Sequence, residues 1–326
     1  MRSSGPIIRL LFAVELRPPM LASVVVACYK HEAYIEECLE TVYGQTFQDV
    51  ELIVVDDHSP DKSFEIARRI VRKKSFARRF VSCTLVRNPL NLGAHCTWNR
   101  ALSLAKGGMI FFLNSDDMFS KDRIRIFASQ HGNEKLFFGF SAVEPIDEAG
   151  GRITTHQYPT SLRYAIDRAR ITGSPLSWAF LDSQIAASTG NFVLSRELVR
   201  KVGLLSDLKY CHDWEYALRA VTMVEPRYVE SDRYMYRLHS TNSYRNLSHV
   251  AENETKACMS SYCVHAIARR PVNRACLSPI NFGEAFYKFI KLHPNFNYWM
   301  KQLYAPYQPD HRTVDWNEWT MPLAWR

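Results

Sequence analysis

Four short apolar runs punctuate the first third of the chain, and each breaks into polar residues at its carboxyl end. They are residues 21–28 (LASVVVAC), 50–55 (VELIVV), 81–86 (VSCTLV) and 109–113 (MIFFL). Short runs with little polar alternation predict strands buried on both faces, as in a parallel sheet. Between them the spacing turns helical. Residues 34–43 place Ile35, Cys38, Leu39 and Val42 on one face, and the stretch opened by Pro60 and Asp61 does so with Ile66, Ala67, Ile70 and Val71. A third helix is predicted over 94–106, closed by Gly107. This alternation predicts right-handed βαβ crossovers and a mostly parallel, Rossmann-like α/β sheet flanked by helices.

After residue 120 the pattern is less regular. Strands are predicted at 136–143, 190–194 and 234–238, and a hairpin turn at 148–151. Residues 154–187 read as a loop-and-helix insertion over the cleft. A short helix over 196–202 stops at Gly203, and the next begins near His212, with Trp214, Ala217, Leu218 and Val221 toward the core. Helical stretches at 247–270 and 284–292 flank a loop. The change of character near 245 predicts three regions: an N-terminal extension (1–20), a domain over 21–245 and a helical C-terminal region (246–326).

Composition narrows the class. An apolar content of 47% with 13% aromatic residues makes a globular chain with a sizeable core. The eight cysteines include no Cys-x-x-Cys pair, which argues against a zinc site and for a reducing compartment. Residues 7–14 are interrupted by Arg9 and too short to span a bilayer, and no later run is long enough. The expected location is cytoplasmic. The net charge of +8 and pI near 9.0 favour anionic partners. A basic stretch from Arg68 to Arg79 reads as a solvated helix face or as peripheral contact with an anionic membrane. A tail carrying Trp299, Trp316, Trp319 and Trp325 fits the second reading.

The fourth run ends in Asn114, Ser115, Asp116 and Asp117. Open α/β sheets bind ligands at the carboxyl ends of their strands. Adjacent carboxylates there suit a hard divalent cation holding a diphosphate. They equally suit a polar strand end that caps a helix at Lys121. Asp57 closes the second run, so one crevice can collect Asp57 and Asp116. Asp213 lies at the first turn of its helix, either as a capping acid or as a functional one. No Gly-x-Gly-x-x-Gly or P-loop pattern occurs, which argues against dinucleotide dehydrogenases and P-loop enzymes.

Four segments in order then carry a resemblance over roughly residues 22–242. They are SVVVACYKHEAYIEECLETVYGQTFQDVELIVVDDHS, NLGAHCTWNRALSLAKGGMIFFLNSDD, GNFVLSRELVRKVGLL followed by HDWEYALR, and YRLHSTNS. The chain resembles the family-two inverting nucleotide-sugar glycosyltransferases of the A-type (GT-A) fold. The resemblance implies a nucleotide-sugar donor, UDP- or dTDP-linked, a glycan or lipid-linked sugar acceptor, and Mn2+ or Mg2+. It implies that Tyr29 and Asp57 hold the nucleoside and that Asn91, Gly93 and Asn99 line the nucleotide pocket. Asp116 matches the last Asp of the family's Asp-x-Asp metal element, and His239 a His near metal and diphosphate. Asp213 matches the catalytic base, with Glu215 two residues on and pointing away.

The chain departs from the pattern at Asn114, where the first Asp of Asp-x-Asp stands, and at Ala27, Lys30 and His212. Asn114 can still meet a ribose hydroxyl but brings no charge. Two other readings are weighed: a sugar-1-phosphate nucleotidyltransferase, which needs a Gly-rich loop that ACYKHEAY lacks, and a non-catalytic nucleotide-sugar binder. Nucleic acid is not an expected partner.

Overall fold

The computed structural model describes residues 20–132, 134–154, 157–240, 242, 248–263, 265–266 and 271–292. Its first half alternates strictly: β1 (Ala22–Cys28), α1 (Ile35–Tyr43), β2 (Val50–Asp56), α2 (Ser63–Val71), α3 (Lys74–Ala77), β3 (Ser82–Arg87), α4 (Ala94–Leu104) and β4 (Met109–Asn114). There follow β5 (Met118–Phe119), α5 (Arg123–His131), β6 (Phe138–Ile146), α6 (Gln157–Thr172), α7 (Leu176–Asp182) and β7 (Val193–Ser195). The remainder is α8 (Arg196–Val202), α9 (His212–Val221), β8 (Arg227–Arg237), α10 (Ser248–Cys263) and α11 (Pro279–Leu292).

The strands form one eight-stranded sheet in the order β3-β2-β1-β4-β7-β6-β8-β5. The half from β3 to β4 is parallel throughout, as the unpatterned runs predict. Its side chains alternate between two cores. Val25, Ile53, Ile110 and Phe112 face a core with Trp98 and Ala101 of α4, while Val24, Leu52, Phe111 and Leu113 face one with Leu39 of α1 and Ile70 of α2. A strand with a core on each face has no polar side to show, hence its continuous apolar sequence. The other half is mixed, because β7 runs antiparallel to β4 and to β6, while β6 and β8 are parallel.

Two readings need correction here. The strand expected at 234–238 is the end of the 11-residue β8, whose middle hides in Glu230, Ser231, Asp232 and Arg233. Asp232 is buried and paired with buried Arg123, so a polar residue stands where the apolar signature was sought. The helix expected at Lys121 starts at Arg123, and β5 was too short to register.

The C-terminal helices belong to the larger core. Cys258, Met259 and Tyr262 of α10 and Phe286 of α11 pack with Tyr216 and Leu218 of α9. The predicted boundary near 245, the extension 1–19 and the four tail tryptophans lie outside the described residues. Among the described residues no helix is long and apolar enough to cross a membrane.

Candidate functional site

The site grows from the mouths of β1, β2 and β4. Among the described residues three non-glycine positions take left-handed backbone conformations, and all border this mouth: Lys30 (φ 58°) after β1, His58 (φ 58°) after β2, and Ala187 (φ 71°) beside Ser188. Such conformations persist only where the surroundings enforce them, and they gather at functional sites. The turn after β1 is fastened to the loop after β2: Ser59 Oγ accepts from the Lys30 N–H at 3.1 Å and Ser63 Oγ from the His31 N–H at 2.9 Å.

That turn brings His31 to Asp116. The His31 Nε2 lies 3.6 Å from Asp116 Oδ2, and His239 Nε2 lies 2.9 Å from the same oxygen. The candidate ligand atoms of His31, Asp116 and His239 all lie within 4.8 Å of one another. Asp116 Oδ1 is buried with no hydrogen-bond partner, so the carboxylate has an oxygen to give. Burial alone would raise the Asp116 carboxyl, but His31 and His239 together outweigh it and hold it below the ordinary carboxylate value. An ionised carboxylate with two imidazoles is a fitting donor set for a divalent cation. The structure thus brings together the two predicted ligands, Asp116 and His239, and adds His31. Nothing in the sequence marked His31 beyond its place two residues after Tyr29.

Asp117 is the opposite case. Its side chain is fully buried. Oδ2 accepts from the Tyr234 hydroxyl (2.6 Å) and the Asn114 amide (3.0 Å), and Oδ1 from the Arg237 N–H (2.8 Å). Burial and the neighbouring Asp116 push its carboxyl well above the ordinary range. The Asn114 amide also donates to Ser188 Oγ at 2.6 Å. An acid at 114 would face Asp117 where this chain has a donor. Sequence reasoning missed Arg237, whose guanidinium holds the Asp116 carbonyl (2.7 Å), two carbonyls of the 147–148 turn and Glu37 Oε2 (2.6 Å). We expect Asp117→Ala to cost roughly 3 kcal/mol of stability, since it strands two buried donors, the Tyr234 hydroxyl and the Arg237 N–H. A urea unfolding curve within 1 kcal/mol of the parent would contradict this.

Among the nucleotide-side residues, Asp57 is 3% exposed. Its carboxylate accepts from the Asn88 amide (2.7 Å), the Leu92 N–H (2.9 Å) and the Gly93 N–H (2.9 Å). It thereby holds the loop bearing Asn91 and Gly93. Gly93 takes φ 85°, a conformation open to glycine at no steric cost. Asn91 and Tyr29 are exposed at this rim, Tyr29 by 37%. Asn99 is engaged elsewhere, exchanging hydrogen bonds with the Leu205 backbone at 2.8 and 2.9 Å.

Asp213 enters from the far side of β4. The turn at 188–191 links the two halves. Ser188 meets Asn114, and Thr189 Oγ1 lies 3.3 Å from His212 Nε2. Gly190 is packed so tightly there that a Cβ would stand 1.8 Å from the Tyr234 hydroxyl and 2.8 Å from the Asn114 nitrogen. Asp213 lies in the first turn of α9, partly exposed, accepting from the Trp214 N–H at 2.7 Å. Burial raises its carboxyl above the ordinary value, against the pull of His212 and the Trp214 N–H. Trp214 Nε1 donates to the Phe180 carbonyl at 2.6 Å, tying this turn to the 154–187 insertion.

Glu254 of α10, which no motif flagged, accepts from the N–H groups of Lys209 (2.8 Å), Tyr210 (2.6 Å) and Cys211 (2.8 Å), and so fixes the entry to α9. Glu215 points away from Asp213 as expected, but into a network. It is 3% exposed, paired with Arg219 at 2.7 Å and bonded to Ser206 and Ser261. It is a structural acid.

A family model described as Glycosyl transferase family 2 matches residues 23–202, more than half of the chain. The chain belongs to that family. A putative glycosyltransferase of Bacillus subtilis, EpsH, is 26% identical over 83% of this chain and 74% of its own length. The Escherichia coli UDP-Glc:alpha-D-GlcNAc-diphosphoundecaprenol beta-1,3-glucosyltransferase WfaP is 31% identical over 37% of this chain and 45% of its own. The match spans 39% of an uncharacterized Haemophilus influenzae glycosyltransferase and 61% of the B. subtilis EpsJ. Among solved structures, S. aureus TarS in complex with UDP-GlcNAc superposes with a TM-score of 0.60 at 17% identity, over 88% of this chain and 78% of that one. A Pyrobaculum calidifontis mannosyltransferase with GDP-Man and Mn2+ gives 0.54 at 14% identity, over 90% and 82%. At such identities the superpositions show the shared GT-A fold, a mixed sheet flanked by helices.

Proposed function

We propose that this glycosyltransferase moves a sugar from a UDP- or dTDP-sugar to an acceptor hydroxyl with inversion, in the synthesis of a surface polysaccharide or glycoconjugate. The observation that carries the reading is one of placement. A ligand cluster at Asp116 stands at the mouth of β4, and Asp213, an acid with a raised carboxyl pKa, follows His212, which meets the 188–191 turn that also touches Asn114.

Inverting transfer is a single displacement at the anomeric carbon, so it needs a stabilised leaving group on one face and a base on the other. Asp116 and His239 would hold a divalent cation, Mn2+ or Mg2+, which when bound would supply charge neutralisation to the departing diphosphate. Asp213 takes the proton of the acceptor hydroxyl. Asp57 orders the loop of Asn91 and Gly93 around the nucleoside, with Tyr29 across the crevice. Asn114 keeps the mouth in shape through Asp117 and Ser188. The acceptor half is assigned to residues 154–187 and the C-terminal region, which converge on α9.

The WfaP name specifies a UDP-glucose donor and a lipid-diphosphate-linked acceptor, and TarS was solved with UDP-GlcNAc, so uridine donors and lipid-linked acceptors are the first to try. The test is incubation with a panel of nucleotide sugars, with and without manganese. Release of free nucleotide diphosphate supports the transferase. Pyrophosphate chemistry with a sugar phosphate would instead indicate a nucleotidyltransferase, and silence on every donor a binder.

A cytoplasmic location with peripheral contact to an anionic membrane belongs to the same proposal. The basic stretch is smaller than its sequence suggested: Arg79 donates to the carbonyls of Tyr43, Gln45, Phe47 and Gln48, and Arg69 pairs with Glu36 at 2.8 Å. Arg68, Arg72, Lys73, Lys74 and Arg78 remain exposed. Flotation with anionic vesicles is expected at low salt and lost at high salt; no flotation at low salt removes the membrane contact.

A further inference from the structure

The candidate cation site has one carboxylate, Asp116, because position 114 is Asn and its amide is turned to Asp117 and Ser188. The structure sets another donor beside it. We propose that His31 is a third protein ligand, so that this site is built from two imidazoles and one carboxylate and selects a transition-metal ion over Mg2+. The inference rests on the reading that Asp116 and His239 hold a cation.

Four observations converge on His31. Its Nδ1 is engaged by Ser115 Oγ at 2.7 Å, which fixes the ring and leaves Nε2 as the nitrogen turned to Asp116. An outer hydrogen bond of this kind is what orients a ligating imidazole. Donors about 2.1 Å from a shared ion stand about 3–3.5 Å apart. The two imidazole-to-carboxylate separations here, 2.9 and 3.6 Å, bracket that spacing. The rings of His31 and His239 are nearly perpendicular, with centroids 5.8 Å apart and 82° between planes, so the nitrogens converge while the rings clear each other. The residue before His31 is held in a left-handed conformation, and its own N–H is bonded to Ser63, so the backbone that delivers the ring is fixed from both sides.

The chemistry of the donor set gives the selectivity. Imidazole suits borderline transition ions, whereas Mg2+ prefers oxygen donors and sheds water reluctantly. A set of two imidazoles and one carboxylate therefore leans away from Mg2+. The unpartnered Asp116 Oδ1 supplies the oxygen side.

Pulsed electron paramagnetic resonance of Mn2+ added to the full chain, alone and with uridine diphosphate, reads bound nitrogen directly. The expected result is two imidazole nitrogens in the parent and one in His31→Gln. The Mn2+ affinity of the variant should fall at least about tenfold, the loss that follows removal of even an outer partner of a metal ligand. Mg2+ should displace Mn2+ from the parent only in large excess and less selectively from His31→Gln. One nitrogen in the parent, or unchanged Mn2+ affinity in a folded His31→Gln, overturns the role of His31 and leaves the cation at Asp116 and His239 standing. Failure of the parent to bind Mn2+ under either condition removes the cation itself, and with it this part of the proposed function. Should His31→Gln not fold, the nitrogen count in the parent decides alone.

Discussion

Asp213→Asn is expected to lose roughly a hundredfold or more in turnover while nucleotide diphosphate affinity stays close to that of the parent. The ligand cluster lies at the mouth of β4, and its link to the start of α9 runs through the 188–191 turn and His212 and not through the Asp213 carboxylate, so removing the acid should leave the donor side built. Asn keeps the shape and can still accept from the Trp214 N–H, so the cost in stability should stay at about 1 kcal/mol or below. A plain helix cap would show the reverse, a stability loss with turnover nearly intact. The pH profile carries a second signature. A base works only when ionised, so turnover must fall as pH drops through its pKa. Burial raises that pKa, so the acid limb should lie above the ordinary carboxylate range and vanish in Asp213→Asn. Glu215→Gln is unsuitable as a control because it breaks a buried ion pair. Glu252, largely exposed and paired with Lys256 along α10, serves instead, and its Gln variant should stay within a few-fold of the parent.

Asp116→Ala should abolish manganese-dependent binding of the nucleotide diphosphate. The variant removes the one carboxylate of the His31, Asp116 and His239 cluster, leaving two imidazoles to meet a cation and a doubly charged ligand. Charge stabilisation of this kind is worth several kcal/mol, so the loss should exceed about a hundredfold in affinity. Calorimetric titration with manganese present checks it, and an unchanged affinity would remove Asp116 from the role. The contrast with Asp117→Ala is instructive. Neighbouring acids divide the work, since one keeps a free oxygen and the other spends both on Tyr234, Asn114 and Arg237.

The parallel half of the sheet was legible because strands covered on both faces leave continuous apolar runs. Asp116 was legible because its acid stands where such a run ends. What stayed hidden was polar and buried. Asp232 and Arg123 pair inside the sheet, so only the end of β8, at 234–238, read as a strand. Arg79 and Glu215 looked like solvated charges, yet one clasps four carbonyls and the other anchors Arg219. His31 sits in a turn, where periodicity says nothing of where a ring points. Lys30 departs from the family pattern at a left-handed position, a strain that sequence alone does not display. Glu254 acts across more than forty residues of chain, on three N–H groups that carry no side-chain signal at all.

The central claim is a single displacement, with Asp213 activating the acceptor on the face opposite the held diphosphate. The measurement that bears on it most directly is the anomeric configuration of the sugar at the moment of transfer. It is read by proton NMR on the donor that the panel selects, at times short against mutarotation. The account predicts a product of inverted configuration from the first time point, absent in Asp213→Asn. A product that retains the donor's configuration would contradict it.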